Sequence, residues 1–203
     1  MSGASSERRQ GGCRMEQLNL LRCVAHIIED LGLRYFVTGC MATNIYGEPR
    51  IANDIDVVVD LPEQWIVEFC RRFAQEEFNL SEAAACEAVF NKAQFSIIHR
   101  ASGLKVDVIV PRASPFNELR FLRVRRLRAA ADFVVCVASP EDAIIEKLDS
   151  FRQGGSETHV RDIAGVLRTS RDQIDMSYIA QWAQQLGLGE SWTTIQERTR
   201  RNG

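Results

Sequence analysis

Asp54 and Asp56 stand two residues apart in Asp54-Ile55-Asp56-Val57-Val58-Val59, a β-branched run that reads as a buried strand. Side chains alternate faces along a strand, so the two carboxylates share one face while Ile55, Val57 and Val59 point into a core. Like charges placed this way repel, and burial makes the repulsion worse. A divalent cation relieves it, because hard cations take carboxylate oxygens. An Asp-x-Asp pair alone is often only the solvated face of an edge strand. Here a third acid, Asp107, lies in a second strand-like run, Lys105-Val106-Asp107-Val108-Ile109-Val110. Three carboxylates from two strands make a candidate metal cluster, so Asp54, Asp56 and Asp107 are the expected metal ligands.

The neighbouring elements must position that cluster. Arg34 to Thr38 reads as a first strand that delivers Gly39, where a glycine lets backbone approach a ligand closely. The small-residue segment Met41 to Tyr46 is helix-compatible, and a helix opening there would aim its N–H groups at a phosphate. The plain alternative for Gly39 is a strand–helix turn. Gly47-Glu48-Pro49-Arg50 reads as a turn. Upstream, apolar residues at 20, 21, 24, 27, 28 and 31 have helical spacing, with Gly32 at the C-terminal cap. Met1 to Arg14, rich in Gly, Ser and Arg, is expected to be a disordered tail or an over-long start with Met15 as initiator; its Arg8-Arg9 pair reads as solvation.

Downstream, Leu61-Pro62-Glu63 opens a helix expected to reach about Glu77, with Trp65, Ile66, Phe69 and Phe73 on its inner face. Residues 78 to 93 fit either helix or loop. Ala93 to His99 and Leu104 to Val110 read as a hairpin through Arg100-Ala101-Ser102-Gly103. Pro111 to Leu119 is a loop and short helix. The run Arg120 to Arg128 holds five arginines in nine residues; it suits either a triphosphate or RNA contact or a solvated strand face. Phe133 to Val137 is a further strand. Ser139 and Pro140 start a helix over Glu141 to Phe151, with Ile144, Ile145 and Leu148 inward; a lone lysine such as Lys147 on such a helix is ordinarily solvent-facing. Gly154-Gly155-Ser156 breaks the chain before another helix that carries Asp162. The end, Asp175 to Arg201, reads as two short helices closing a small helical cap. His26 and His99 read as structural or surface residues.

A length of 203 residues with 45% hydrophobic content suits one globular domain or a domain with a small appendage. The net charge of −2 argues against general polyanion binding. No apolar run approaches membrane-helix length, and the N-terminus has no signal-peptide stretch. Six scattered cysteines without a Cys-x-x-Cys pair argue against a zinc ribbon or a disulfide framework, with a reducing cytoplasm as the simplest setting. Neither a Walker-type loop nor a Gly-x-Gly-x-x-Gly motif is present.

Gly39-Cys40, a thirteen-residue spacer and Asp54-Ile55-Asp56-Val57 resemble the signature of the polymerase-β-like nucleotidyltransferase superfamily, in which a later strand supplies a third acid at the position of Asp107. Gly47-Glu48-Pro49-Arg50 and Ser139-Pro140-Glu141-Asp142 through Lys147-Leu148 look like the small bacterial nucleotidyltransferases related to AbiEii-type toxins. The likeness spans about Leu20 to Leu167. It implies an α+β nucleotidyltransferase fold: a mixed β-sheet flanked by helices over 16–138, followed by a C-terminal helical region over 139–203. It also implies magnesium or manganese held by Asp54, Asp56 and Asp107, and a nucleoside triphosphate bound through Gly39, Cys40, Arg50, Lys147 and Asp162. The implied reaction moves a nucleoside monophosphate to a hydroxyl of an RNA such as tRNA, a protein or a small molecule, by two-metal catalysis. A role as toxin with a cognate antitoxin partner is part of the implication, as is antibiotic modification. Cys40 departs from the usual Gly or Ser, which keeps a second reading open: an inert protein of this fold that serves as a binding or antitoxin-like partner.

Overall fold

Apolar periods of 3.6 and 2 resolve into helices and strands along almost the whole chain. The structure, a computed structural model, describes residues 3–52 and 54–201, with side chains placed for 16–52 and 54–200. In chain order the elements are α1 (Gly3–Asp30), β1 (Tyr35–Val37), α2 (Gly39–Tyr46), β2 (Asp54–Val59), α3 (Ile66–Arg71), β3 (Phe78–Asn79), α4 (Glu82–Asn91), β4 (Gln94–His99), β5 (Lys105–Ile109), α5 (Pro115–Leu122), β6 (Arg125–Ala130), β7 (Phe133–Val137), α6 (Pro140–Gly154), α7 (Glu157–Thr169), α8 (Met176–Gln185) and α9 (Gly189–Arg201). The strands form one mixed sheet in the order β3-β4-β5-β2-β1-β7-β6. Strand β2 runs parallel to β5, and β1 runs parallel to β7; β4 is antiparallel to both β3 and β5. This is the expected mixed α+β architecture, with helices flanking the sheet.

The described residues group into two compact units. The first takes Met1–Phe36, Asn53–Ala113 and Arg126–Cys136, and so nearly the whole sheet. Its core is the inward period-2 face of the strands, Ile55, Val57, Phe95, Ile97, Val106 and Val108, with Leu21, Val24 and Ile28 from α1 and Phe69 from α3 also buried. Burying each such side chain contributes about 1.5–3 kcal/mol. The second unit takes Val37–Ala52, Ser114–Arg125 and Val137–Gly203. It is helical, with Ile144, Ile145, Leu148, Ile163, Val166, Ile179 and Ile195 buried.

Some elements depart from expectation. The backbone from Gly3 continues α1 where a tail was expected. Extending a helix already anchored at Leu20, Leu21 and Val24 costs far less than nucleating one, so weak formers such as Gly and Ser can be carried along. The side chains of Arg8, Arg9 and Met15 lie outside the described residues. The helix expected to run to Glu77 is a 3-10 turn at Glu63–Trp65 followed by the six-residue α3. Ile66, Phe69 and Phe73 are buried as expected, but Trp65 is 39% exposed because it sits in that turn rather than on the helix face. The ambiguous stretch 78–93 holds β3 and then α4, which Ser81 caps by accepting from the Ala84 N–H. The hairpin of β4 and β5 and the caps at Gly32 and Ser139 match expectation. The five described cysteines are free thiols. Among the described residues no helix is long and apolar enough to cross a membrane.

Candidate active site

The three predicted acids come together through strand register. Parallel pairing of β2 with β5 sets Asp54 beside Lys105 and Asp56 beside Asp107, so all four side chains share one face of the sheet. Asp107 is buried; Asp54 and Asp56 are more open to solvent. Ser96, the partner of Asp107 on β4, donates its hydroxyl to Asp107 Oδ1 at 2.6 Å. Lys105 supplies the opposing charge: Nζ lies 2.9 Å from Asp107 Oδ2 and 3.4 Å from Asp54 Oδ2. The hydrogen bond that Lys105 donates to Asp107 leads the effects that raise the Lys105 pKa above its ordinary value, so the ammonium is held charged.

Among the described residues, no group of three or more His, Cys, Asp or Glu side chains converges closely enough to hold a metal ion. Two of the three carboxylates nevertheless already share one cation, the Lys105 ammonium. The donors are all oxygens, which suits magnesium or manganese. The donor chemistry therefore suits such an ion, but the carboxylates would have to close on it and Lys105 to yield its place. Sequence reasoning passed over Lys105 and Ser96. The period-2 rule places Lys105 on the face of Asp107, but its nearness to Asp54 follows only from the β2–β5 register.

The predicted nucleotide-binding residues lie in the second unit. Strand β1 ends at Val37, and Gly39 turns the chain into α2 with φ +60°, a conformation that side-chain-bearing residues rarely adopt. Cys40 follows in the first turn, buried, with Sγ 3.9 Å from Asn44 Oδ1. Asn44 also pins the next loop: its amide donates to the Arg50 carbonyl at 2.7 Å, and its Oδ1 accepts from the Arg50 N–H at 3.0 Å. Arg50 reaches α7, donating through Nε and Nη2 to the two oxygens of Asp162 at 2.8 and 2.9 Å.

Lys147, expected on the solvent side of its helix, is buried, and its Nζ lies 3.3 Å from Asp162 Oδ2. A buried ammonium needs a counter-charge, and Asp162, one helix away, supplies it. Burial pushes the Asp162 carboxyl pKa up, but the Arg50 hydrogen bonds and the Lys147 charge outweigh it and leave the value below the ordinary one. Two cations around one carboxylate leave net positive charge, the sign that suits a phosphate. Asp162 therefore holds both Arg50 and Lys147.

The arginine-rich run divides. Arg120 pairs with Glu146 at 2.6 Å and Arg123 with Glu141 at 2.9 Å, so these two are structural ion pairs of the helical unit. Arg125, Arg126 and Arg128 lie on β6, the last strand of the sheet, with exposed side chains. The Ser139-Pro140-Glu141-Asp142 start of α6 is likewise a packing device. Ser139 caps the helix by accepting from the Asp142 N–H. The fully buried Asp142 accepts from the Tyr178 hydroxyl at 2.8 Å and the Ser139 hydroxyl at 2.8 Å.

No protein-family model matches the sequence, and no curated protein matches it. Solved structures do share the fold. An antigenic nucleotidyltransferase-like protein of Paracoccidioides brasiliensis aligns at 19% identity over 75% of this chain and 76% of its own, with a TM-score of 0.52. A candidate nucleotidyltransferase of Thermotoga maritima aligns at 20% identity over 71% of this chain and 91% of its own, with a TM-score of 0.50. The antibiotic-resistance factor ANT(2'')-Ia aligns at 11% identity over 93% of this chain and 97% of its own, with a TM-score of 0.51. The fold of this chain is thus a nucleotidyltransferase fold.

Proposed function

We propose that this chain transfers a nucleoside monophosphate from a nucleoside triphosphate to a hydroxyl acceptor. The observation that supports it best is the placement of Asp56 beside Asp107, with Asp54 on the same sheet face, in a nucleotidyltransferase fold. In this reading Asp54, Asp56 and Asp107 hold magnesium or manganese, which when bound would polarise phosphoryl oxygens and lower the pKa of the acceptor hydroxyl. Ser96 fixes the Asp107 carboxylate by occupying one of its oxygens. Asp107 helps to take the acceptor proton. Gly39 and Cys40 offer the first-turn backbone of α2 to the phosphates. Arg50 and Lys147, both held by Asp162, neutralise charge on the departing pyrophosphate. An RNA such as tRNA, a protein or a small molecule would serve as acceptor. A role as the toxin of a toxin–antitoxin pair with a cognate antitoxin, an AbiEii-type kinship, antibiotic modification and a cytoplasmic setting belong to the same proposal.

A second reading has one specific observation in its favour. Lys105 already offsets part of the charge of Asp54 and Asp107, so a metal is not the sole means of easing their repulsion. That suits an inert protein of this fold that acts as a binding or antitoxin-like partner. Thermal melting with each of the four nucleoside triphosphates, with and without magnesium or manganese, separates the two. A ligand of the native state at a hundred times its Kd stabilises by about 2.7 kcal/mol. We expect a metal-dependent shift that Asp56→Asn abolishes. No shift with any triphosphate would remove the transferase reading and leave the inert one.

A further inference from the structure

A cleft of about 360 Å³ opens within the first unit, between α1 and the end of the β4–β5 hairpin. That volume lies at the lower end of the range for small-molecule sites, about 300–1,000 Å³. Strand parity places it. Ser96 pairs with Asp107 and shares the face of the three acids, so His99, three residues further along β4, belongs to the opposite face. His99 and Phe78 line the cleft on one side, and Leu20 and Cys23 of α1 on the other. The cleft is therefore no part of the candidate active site.

The lining is of two kinds. Leu20 and Phe78 are buried and make an apolar floor. The Phe78 and His99 rings pack with centroids 5.5 Å apart and planes inclined at 53°. Ser102 fixes the His99 ring: its Oγ lies 2.8 Å from Nδ1 and also accepts from the Leu104 N–H at 3.3 Å. When Nδ1–H donates to Ser102, Nε2 keeps a lone pair for a ligand. The rim carries Glu16 and Glu77, both exposed. Among the described residues neither carboxylate has an ion-pair partner, and no lysine or arginine lines the cleft. The Glu77 charge is felt across it: burial first, and then that charge, push the Cys23 thiol pKa up.

An acidic rim over an apolar, aromatic floor makes two demands of a ligand. An inorganic cation needs several convergent donors, and among the described residues no group of three His, Cys, Asp or Glu side chains supplies them. A neutral apolar molecule would leave the carboxylates without a partner. A small primary amine with an apolar body meets both demands. Its ammonium donates charge-assisted hydrogen bonds to Glu16 and Glu77, and its body covers Leu20 and Phe78, whose ring face also attracts a cation. We propose that this cleft is a binding site for a small organic amine, separate from the site of the transferase reading.

The test is an NMR titration of the full chain with two primary amines, hexylamine and phenethylamine, each set against its uncharged alcohol, hexanol and 2-phenylethanol. At least one amine should give saturable shifts at the Leu20, Cys23 and His99 amides and bind about tenfold more tightly than its alcohol. Glu16→Gln/Glu77→Gln should remove that preference. Both side chains are exposed, and melting confirms that the variant is folded. Ala101→Trp, at an exposed position of the lining, fills the cleft and should abolish the shifts with both carboxylates still present. No saturable shift at these amides with either amine overturns the proposal. So does an alcohol that binds as tightly as its amine, a preference that survives the double variant, or binding that survives Ala101→Trp. Triphosphate binding is read in a separate experiment, so none of these outcomes bears on the transferase reading.

Discussion

Lys105 and Asp107 stand two residues apart on β5 and meet at 2.9 Å, Nζ to Oδ2, so one strand carries both a candidate metal ligand and the cation that neutralises it. Lys105 also lies 3.4 Å from Asp54 on the neighbouring strand. A divalent ion entering this cluster competes with the ammonium for the same oxygens. Lys105 is about a third exposed, so solvent screens its pairs and their strength is modest, on the order of 1 kcal/mol. Lys105→Met keeps the apolar stem and removes the competitor. The expected result is about fivefold tighter manganese binding to the nucleotide-free protein, read by calorimetric titration. Equal or weaker binding in the variant would show that Lys105 supports the site instead of competing for it.

Asp162 is the shared partner of Arg50 and Lys147 in the helical unit. Removing one member of a buried pair strands the other charge, at a cost of about 3–5 kcal/mol. Lys147 is the buried partner and Arg50 the more open one, so the lower end applies. Asp162→Ala is expected to lose about 3 kcal/mol in denaturant unfolding. Lys147→Met, which removes charge and keeps volume, should cost less than Asp162→Ala. The reverse order would mean that Asp162 does not carry the pair.

The same carboxylate sets an acid limit. Its folded-state pKa lies below the ordinary value, because the cations around it outweigh its burial. A carboxylate with a depressed pKa contributes stability that is fully present above its unfolded pKa, about 3.9, and is lost as pH falls through the folded value. Asp142 runs the opposite way, since burial raises its pKa, so the comparison must isolate one group. Asp162→Asn does so. Its deficit in melting temperature against the wild type should be constant from pH 7 to about 4.5 and narrow below about 4. A deficit unchanged down to pH 3 would dismiss the linkage.

Legibility in the sequence followed physical range. Asp54 and Asp56 were readable as one face because period-2 alternation is local. The β2–β5 pairing that sets Asp56 beside Asp107 fits the family resemblance, but no local rule contains it. Short-range capping was equally plain at Ser139, where serine and proline precede an acidic turn. The burial of Lys147 was not legible because its partner, Asp162, lies on another helix, and a helical period says only which face a lysine is on, not what waits there. Trp65 was misread for a related reason: helical spacing assigned it inward, and the chain used a 3-10 turn at that point. The arginines at 120 and 123 looked like one basic surface with those on β6. Their acidic partners, Glu146 and Glu141, are distant in sequence and invisible to charge counting.

Gly47 was expected as a turn residue, but its φ of −129° is open to any side chain. What it provides is close approach. A Cβ at this position would stand 2.8 Å from the Val166 nitrogen, 2.9 Å from the Gly165 carbonyl carbon and 3.0 Å from the Thr43 oxygen. All three are backbone atoms of α2 and α7, so no side-chain rotation relieves the contact. Gly165 faces the same seam, where its own added Cβ would lie 3.2 Å from the Glu48 nitrogen. Gly47→Ala therefore has to part α2 from α7, an overpacking error that typically costs about 1–3 kcal/mol, and the absence of any flexible neighbour places it near the upper end. The parting also shifts the loop that carries Arg50 away from Asp162 on α7, so metal-supported triphosphate affinity should fall together with stability. Glu48→Ala breaks only the exposed pair with Arg168 and serves as the control, with an expected cost of under about 1 kcal/mol. If Gly47→Ala melts within a degree of the wild type, the two helices are not held at the separation described.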